Sequence, residues 1–408
     1  MDFDDSPTPF LDTSSEMQRD GSLARFFVAR LLPRLAYGRL RLVLPSGECL
    51  ECCSAAPGPR ATIVVSSWRA LWRICVEGEL GLARSYIEGG WSTPSLDALF
   101  ALGVANEKEL APSTDGSLGV RGMAHVRHWL NANTKRGSRR NIAAHYDLGN
   151  AFYSPWLDAG MNYSSGLFHT GKETLEEAQA AKIALAADML ELRGDEHVLE
   201  IGCGWGSMAE CLVRSHCRVT ALTLSQEQLA YARKRLASLP ASTFDLRLED
   251  YRETQGSFDR IVSIEMLEAV GERYWPLYFK RLRDMIRPDG AVVLQVITIT
   301  ERDFAQYRQR PDFIQSFVFP GGMLPTIAAI RREAARAGFE IAAHRAFGPS
   351  YVCTLREWRN RFLAAWPDLE CLGFDQRFKR LWTYYLAYCE MGFTSEKLDV
   401  GTFKLIPI

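Results

Sequence analysis

The run Val198-Leu199-Glu200-Ile201-Gly202-Cys203-Gly204-Trp205-Gly206 carries an apolar segment into an acidic residue and then into glycines at alternate positions. The residues that follow, Ser207 to Val213, are suited to begin a helix. A strand that stops in a glycine turn and feeds a helix brings bare backbone close to a ligand, and the helix N-terminus offers unpaired N–H groups. The spacing is Gly-x-Gly-x-Gly, and no Lys-Ser/Thr follows it. This argues against a phosphate loop and against the usual dinucleotide fingerprint. Glu200, just ahead of the first glycine, points instead to S-adenosylmethionine (SAM). The bland alternative is a tight strand-to-helix turn with no ligand.

Outward from this turn, strands and helices alternate. Strands are expected at His197–Ile201, Arg218–Leu222, Thr243–Leu248, Phe258–Ile264 and Ala291–Ile299. Helices are expected at Gln226–Ser238 and at Trp275–Ile286, the latter closed by Arg287-Pro288-Asp289-Gly290. Repeated βα units at this spacing predict an α/β fold with a parallel, doubly wound, Rossmann-like sheet. Ligands in such folds bind beyond the carboxyl ends of the strands. The glycine turn, Thr223-Leu224-Ser225, Asp250-Tyr251 and Glu265–Gly271 all fall on that edge. Beyond the fifth strand come a helix at Ile327–Ala337, a strand at Phe339–Arg345 and a helical tail from Thr354 to Met391. The tail holds Trp358, Phe362, Trp366, Phe378, Trp382, Tyr384, Tyr385 and Tyr388. An aromatic stripe at helical spacing is either core or the lining for a long apolar substrate, and the two can coexist on opposite faces.

Ahead of this region the chain reads as a disordered segment over 1–21, a small α+β domain over 22–106, a linker over 107–125 and the main domain over 126–408. Strands are expected at Leu40–Leu44, Cys49–Cys53 and Ala61–Val65, broken by Pro45-Ser46-Gly47 and Pro57-Gly58-Pro59. Helices are expected at Trp68–Cys75 and Ser95–Leu102. Leu23–Leu35, punctuated by Arg25, Arg30 and Arg34, reads either as a basic amphipathic helix on anionic lipid or as a helix packed on its own domain. The run Lys135-Arg136-Gly137-Ser138-Arg139-Arg140 is a solvated segment or a contact for phospholipid headgroups.

The chain has 408 residues, enough for two domains or three, and 47% hydrophobic with 24% charged residues fits a folded soluble protein. With Lys+Arg at 48 and Asp+Glu at 49, no basic field would hold it on nucleic acid. No apolar run reaches bilayer length, and the acidic start is unlike a signal peptide, so a cytoplasmic location is expected. Cys49-x-x-Cys52-Cys53 lacks a second ligand pair for zinc, so the 10 cysteines read as scattered reduced thiols and no metal is expected.

At this point the chain resembles the cyclopropane fatty acid synthases, SAM-dependent enzymes acting on unsaturated acyl chains of phospholipids. The resemblance rests on Ala144-His145-Tyr146-Asp147-Leu148-Gly149-Asn150, Met161-Asn162-Tyr163-Ser164-Ser165, Val198–Gly206 and Thr223-Leu224-Ser225-Gln226-Glu227-Gln228. It continues through Asp259-Arg260-Ile261-Val262-Ser263, Glu265-Met266-Leu267-Glu268-Ala269-Val270-Gly271 and Phe317-Val318-Phe319-Pro320-Gly321-Gly322. The resemblance implies that Gly202 and Gly204 hold the methionine part of SAM, with Tyr163 and Ser164 closing over it. Thr223, Leu224 and Gln228 would lie along the ribose, Asp250 and Tyr251 would flank the adenine, and Ile264 would lie under it. It further implies a bound bicarbonate as the base, held at the positions of Glu268, Tyr351, Ser165, Gln295 and the backbone of Ile297. Ser165 and Gln295 stand where much of the family has Cys and His, and with Glu268-Ala269-Val270-Gly271 they resemble the plant-type branch. On the bland reading, His145 and Asp147 orient the lid segment without touching substrate. The implied partners are a phospholipid bearing an unsaturated acyl chain, the inner membrane surface touched peripherally, and a second copy in a homodimer.

Attack of an alkene on a sulfonium methyl leaves a carbocation on the acyl chain, and that cation survives only in a dry, shaped site free of stray nucleophiles. Ring closure then needs a base, and cyclopropane formation is the leading reading. Methylation without ring closure, giving a methyl-branched, methylene or methyl-diene product, is the alternative. A lipid-binding protein without catalysis is the third, opposed by Glu268, Tyr351 and the intact glycine turn. Bland readings stand beside each residue. Glu268 can cap the helix starting near Glu272, Tyr351 can pack in a turn, and Gln295 can make a structural bond.

Overall fold

The computed structural model describes residues 35–114 and 148–408. The chain divides into two compact units, Met1–Ser117 and Leu118–Ile408. The basic segments at 23–34 and 135–140, with His145 and Asp147, lie outside the described residues.

The first unit is a four-stranded sheet in the order β2-β1-β3-β4. Its strands are β1 (Tyr37–Val43), β2 (Cys49–Cys53), β3 (Ala56–Val65) and β4 (Trp91–Ser92), accompanied by helices α1 (Trp68–Glu77), α2 (Glu79–Ile87), α3 (Leu96–Ala105) and α4 (Glu107–Thr114). β3 runs through Pro57-Gly58-Pro59, where a break was expected, because its register against β1 shifts between Tyr37 and Arg39. Such an irregularity tolerates residues that cannot donate to the ladder. Buried Asn106 clamps the unit: its Oδ1 accepts from the Ala36 and Tyr37 N–H groups at 2.8 and 2.9 Å, and its Nδ2 donates to the Tyr37 and Leu102 carbonyls. The stretch from 107, expected as linker, begins as helix α4. All ten cysteines of the chain are free thiols.

The second unit is a seven-stranded sheet, β10-β11-β9-β8-β5-β6-β7. Its strands are β5 (His197–Ile201), β6 (Arg218–Thr223), β7 (Phe244–Leu248), β8 (Phe258–Ile264), β9 (Ile286–Ile299), β10 (Phe339–Ala346) and β11 (Leu398–Pro407). β5, β6, β7, β8 and β9 run parallel. β11 departs from the all-parallel expectation: it lies antiparallel to both β9 and β10. One face of the sheet packs on α6 (Leu175–Leu190), α7 (Ser207–Arg214) and α8 (Gln226–Leu236) through Leu190, Leu212, Ala232 and Leu236. The other packs on α9 (Trp275–Met285) and α12 (Ile327–Arg336) through Phe279, Leu282 and Ile330. These faces bury near-continuous Val, Ile and Leu runs, as a sheet covered on both sides requires.

Short helices α5 (Asn150–Tyr153), α10 (Glu301–Gln309) and α11 (Phe313–Phe317) edge the unit, and α13 (Gly348–Ala364), α14 (Trp366–Cys371) and α15 (Gln376–Thr394) form the tail. Trp358, Phe362, Trp382 and Tyr384 of that tail are each at most 3% exposed. Phe152 and Trp156 pack edge-on against Phe362 and Trp382. Most of the aromatic stripe is therefore core.

The glycine turn is packed from behind. Gly206 has φ +86°, and a Cβ there would sit 3.0 Å from the Ala232 Cβ and 3.3 Å from its Cα. Both the left-handed backbone and the closeness of α8 exclude a side chain. Gly206→Ala should lower the urea midpoint by an amount equivalent to about 1–3 kcal/mol. An unchanged midpoint would show that the turn yields without cost.

Candidate active site at the carboxyl edge of the sheet

β5 ends in the glycine turn, and the N–H groups of Gly202 and Cys203 both donate to the Leu222 carbonyl, at 3.0 and 2.8 Å. This fixes the turn against β6. Gly202 and Gly204 take φ +83° and +52°, and nothing lies within 4 Å of a Cβ built on Gly204. α7 starts from Gly206 with no side-chain cap, and of its first N–H groups that of Ala209 bonds the Glu200 carboxyl. Bare backbone, open space and an uncapped helix start fit the methionine end of SAM. Next along the edge, the Thr223 hydroxyl donates to Gln228 Oε1 at 2.9 Å and accepts from the Ser225 N–H at 3.1 Å. Asp250 is gripped by its neighbour Arg252 through both carboxylate oxygens, at 2.8 and 2.6 Å. Tyr251 packs edge-on against Tyr278. Thr223, Gln228, Asp250 and Tyr251 thus share the expected edge, with the Asp250 carboxylate committed to an ion pair.

The segment Met161–Gly166 passes over this edge. Asp158 shapes its approach, accepting from the N–H groups of Gly160 and Asn162 and from the Asn162 amide at 2.7–2.8 Å. Tyr163 sits among Tyr153, Trp156 and Trp358, and its hydroxyl meets that of Tyr385 at 2.9 Å. Ser164 takes a 2.8 Å bond from Lys182 Nζ and, at its carbonyl, a 2.7 Å bond from Gln179. Lys182 is buried, and desolvation lowers its amine to about 8 against the opposing pull of Glu265, Asp158 and Glu200. Glu200, the acid ahead of the glycines, is buried too, and desolvation pushes it up to about 8. Trp205 donates to Asn150 Oδ1 at 2.6 Å, which ties the end of the 144–150 motif to the glycine turn.

The centre of the site is Glu265, directly after β8. Its Oε1 accepts from the Ser165 N–H and from Gln295 Nε2, both at 2.8 Å. Its Oε2 accepts from the Tyr351 hydroxyl at 2.7 Å. Glu265 is not a glycine yet adopts φ +49°. Burial raises its carboxyl, while the bonds from Tyr351, Ser165 and Gln295 and the charge of Lys182 pull it back down. Glu268 follows on a short 3-10 turn, Leu267–Ala269, and accepts from the Ile297 N–H. Its second oxygen, Oε2, is buried without a hydrogen-bond partner. Burial, and then the charge of Glu265, push Glu268 up to about 8. Glu268 does not cap the helix near Glu272, whose N-cap Gly271 makes no side-chain bond.

The implied bicarbonate does not fit this arrangement. Ser165, Gln295 and Tyr351 do converge, but on Glu265. The Ser165 hydroxyl turns away to the Gly166 carbonyl at 2.9 Å, and the Ile297 N–H is taken by Glu268. A further anion would meet the same donors already occupied, beside two carboxyl groups. Like charges about 4 Å apart repel by roughly 4 kcal/mol even at an effective dielectric of about 20. The family resemblance implies the surrounding residues and gives Glu265 no role, although its place immediately past a parallel strand is where such folds present reacting groups. Lys182 and Asp158 carried no motif at all.

A parallel sheet with a glycine turn after its first strand, and a polar cluster across its carboxyl edge, is that of a class I SAM-dependent methyltransferase. Residues 133–403 match the mycolic acid cyclopropane synthetase family, and the chain belongs to it. The tuberculostearic acid methyltransferase of Mycobacterium tuberculosis is 36% identical over 403 residues, covering 92% of this chain and 90% of that protein. The cyclopropane-fatty-acyl-phospholipid synthase of Escherichia coli K12 is 33% identical over 331 residues, covering 80% and 83%. Among solved structures, a cyclopropane synthase from Mycobacterium tuberculosis superposes with a TM-score of 0.61 at 30% identity, over 65% of this chain and 97% of that one. A mycolic acid cyclopropane synthase complexed with SAH and CTAB gives 0.61 at 29% identity, over 65% and 97%.

The elevated Glu268 carboxyl has a stability consequence. Its folded-state value of about 8 lies above the unfolded carboxylate value. The folded state therefore holds the extra proton, and the stability linked to it is present at low pH and lost as pH rises from about 4.5 through 8. Glu268→Gln should therefore gain on the wild type as pH rises from about 5 to about 8.5. Urea midpoints for both proteins across that range read this directly, and parallel pH curves would refute it.

Proposed function

We propose that this enzyme converts the double bond of an unsaturated phospholipid acyl chain into a cyclopropane, with SAM as the one-carbon donor. It is a SAM-dependent C-methyltransferase of unsaturated acyl chains by family. The observation that supports the proton removal ring closure requires is the placement of Glu265 and Glu268 opposite Ser164–Ser165, on the same edge as the glycine turn. SAM supplies an electrophilic sulfonium methyl. The backbone of Gly202 and Gly204, with Tyr163 and Ser164, would hold its methionine end. Thr223, Leu224 and Gln228 would run along the ribose, and Tyr251, the Asp250 backbone and Ile264 would enclose the adenine. Tyr163, Trp358 and Tyr385 exclude water from the neighbouring volume, which protects a carbocation from quenching. A carboxyl group already beside the transferred methyl removes a methyl proton before hydride migrates along the chain. Prompt deprotonation closes the ring.

The second reading is alkylation without ring closure, favoured by the likeness to a tuberculostearic acid methyltransferase. A phospholipid substrate also calls for transient contact with a membrane surface. No helix among the described residues is long and apolar enough to cross a membrane. A homodimer is compatible with this reading and remains part of the proposal.

Expression in a host rich in monounsaturated phospholipid, followed by mass spectrometry and NMR of the fatty acid methyl esters, tests the proposal. Acyl chains heavier by one methylene with cyclopropane proton signals are expected, and Glu268→Gln should lower their yield at least about 10-fold. Branched or exomethylene products would establish the second reading, and unchanged lipids would overturn both.

A further inference from the structure

We propose that Glu265 is the built-in base of this enzyme: its Oε2 takes the proton that a bound bicarbonate would otherwise take, and the reaction needs no external anion. The inference rests on SAM-dependent alkylation of an acyl double bond, as proposed above, but not on ring closure.

Four of the anion-holding positions point to chain carboxylates. The Ser165 N–H, Gln295 Nε2 and the Tyr351 hydroxyl all end on Glu265, and the Ile297 N–H ends on Glu268. A carboxylate offers about four lone-pair sites. Oε1 uses two, on Ser165 and Gln295, and Oε2 uses one, on Tyr351. One acceptor site remains on Oε2. Glu265 as a whole is only partly buried, and no hydrogen bond among the described residues takes that site. The left-handed backbone at φ +49° turns the side chain back toward Ser165 and Tyr351. Inference from a strained residue to function is sound when independent contacts hold it there, as here. The two carboxyl groups divide their work. Burial raises the Glu265 carboxyl while its three donors and Lys182 oppose that rise, whereas Glu268, pushed up to about 8 with Oε2 unpartnered, carries the proton near neutral pH.

The step balances. The alkene π pair forms a bond to the sulfonium methyl carbon, and the S–CH3 pair leaves with sulfur as S-adenosylhomocysteine. Glu265 Oε2 then removes one proton from the former methyl. The released C–H pair forms the third ring bond to the cationic carbon. The neutral Glu265 acid returns its proton to solvent when the product leaves. If hydride shifts first, the same proton removal yields an exomethylene, so Glu265 serves either product.

Glycine is the natural replacement, because it accepts φ +49° and vacates the space between the three donors. The experiment compares wild type, Glu265→Gln and Glu265→Gly, each saturated with S-adenosylhomocysteine, in bicarbonate-depleted buffer and with added 13C-bicarbonate. Binding is read by NMR, S-adenosylhomocysteine affinity by calorimetry, and turnover in parallel with SAM and monounsaturated vesicles. Wild type is expected to bind no bicarbonate and to turn over equally with and without it. Glu265→Gln should keep its S-adenosylhomocysteine affinity and lose at least about 100-fold in turnover, with no rescue by bicarbonate. Glu265→Gly should bind bicarbonate and regain turnover when it is added. Bicarbonate bound by wild type at this site, a wild-type requirement for it, or full activity in Glu265→Gln would each overturn the proposal. If Glu265→Gly fails to fold, the wild-type and Glu265→Gln measurements still decide. Product identity is read separately: an exomethylene product that vanishes in Glu265→Gln sinks ring closure and sustains the base. Wholly inactive wild type sinks the proposed function, and the bicarbonate-binding comparison still judges whether Glu265 fills the anion site.

Discussion

The grip of Ser165, Gln295 and Tyr351 on one carboxylate holds the second unit's working edge together. The three partners come from the segment over the glycine turn, from the centre of β9 and from the first turns of α13. No direct sequence neighbourhood joins them. Desolvating a carboxylate is costly, and only saturating its oxygens with donors offsets that cost. A left-handed non-glycine backbone adds about 1–3 kcal/mol more. The surroundings therefore have to be rigid, and they are: β8 and β9 pair in register from Arg260 to Ile264, and the Glu265 N–H closes onto the Gln295 carbonyl at 2.8 Å.

Around this centre lies a graded polar layer. Lys182 reaches from α6 to Ser164 and senses Glu265, Asp158 and Glu200. A buried cation facing acidic groups on this edge leaves room for carboxylate charge, which suits a sulfonium ligand and a developing carbocation. Beyond the layer, aromatic side chains from two distant parts of the chain, Tyr153–Tyr163 and the tail, interlock through tilted and edge-on contacts. The polar layer is small and its wall is aromatic.

Much of the fold was legible in the sequence. β5 and β8 lie at the residues their apolar runs mark, and β6 and β7 differ by one residue at an end. The errors have physical causes. β3 and β9 both pass through Pro and Gly at register shifts, where local turn chemistry is overruled by pairing on either side. β11 went unread because Asp399, Gly401, Thr402 and Lys404 interrupt its apolar pattern, and its burial comes from neighbours on both sides. In the site, Ser165, Gln295, Tyr351, Ile297 and Glu268 were grouped only by the resemblance to the cyclopropane fatty acid synthases, and residue types and spacing alone did not join them. They did not show what lay between them. A change of one residue's φ to the left-handed region redirects its side chain, and nothing in the residues around Glu265 announces that change. The sequence likewise left core and substrate lining open for the aromatic tail, a question settled by burial for most of it.

The antiparallel strand β11 has a consequence for assembly. It pairs Thr402 with Gln295 and Val400 with Ile297, the two β9 residues that meet Glu265 and Glu268. Until that strand arrives, roughly a hundred residues further along the chain, β9 offers an open edge rich in Val and Ile. Closing so distant a contact is entropically slow, and an open apolar edge is prone to pair with the wrong partner. Chain collapse around β5 to β8 must therefore precede completion of the site, and β9 is the place where a nascent copy is most exposed to aggregation.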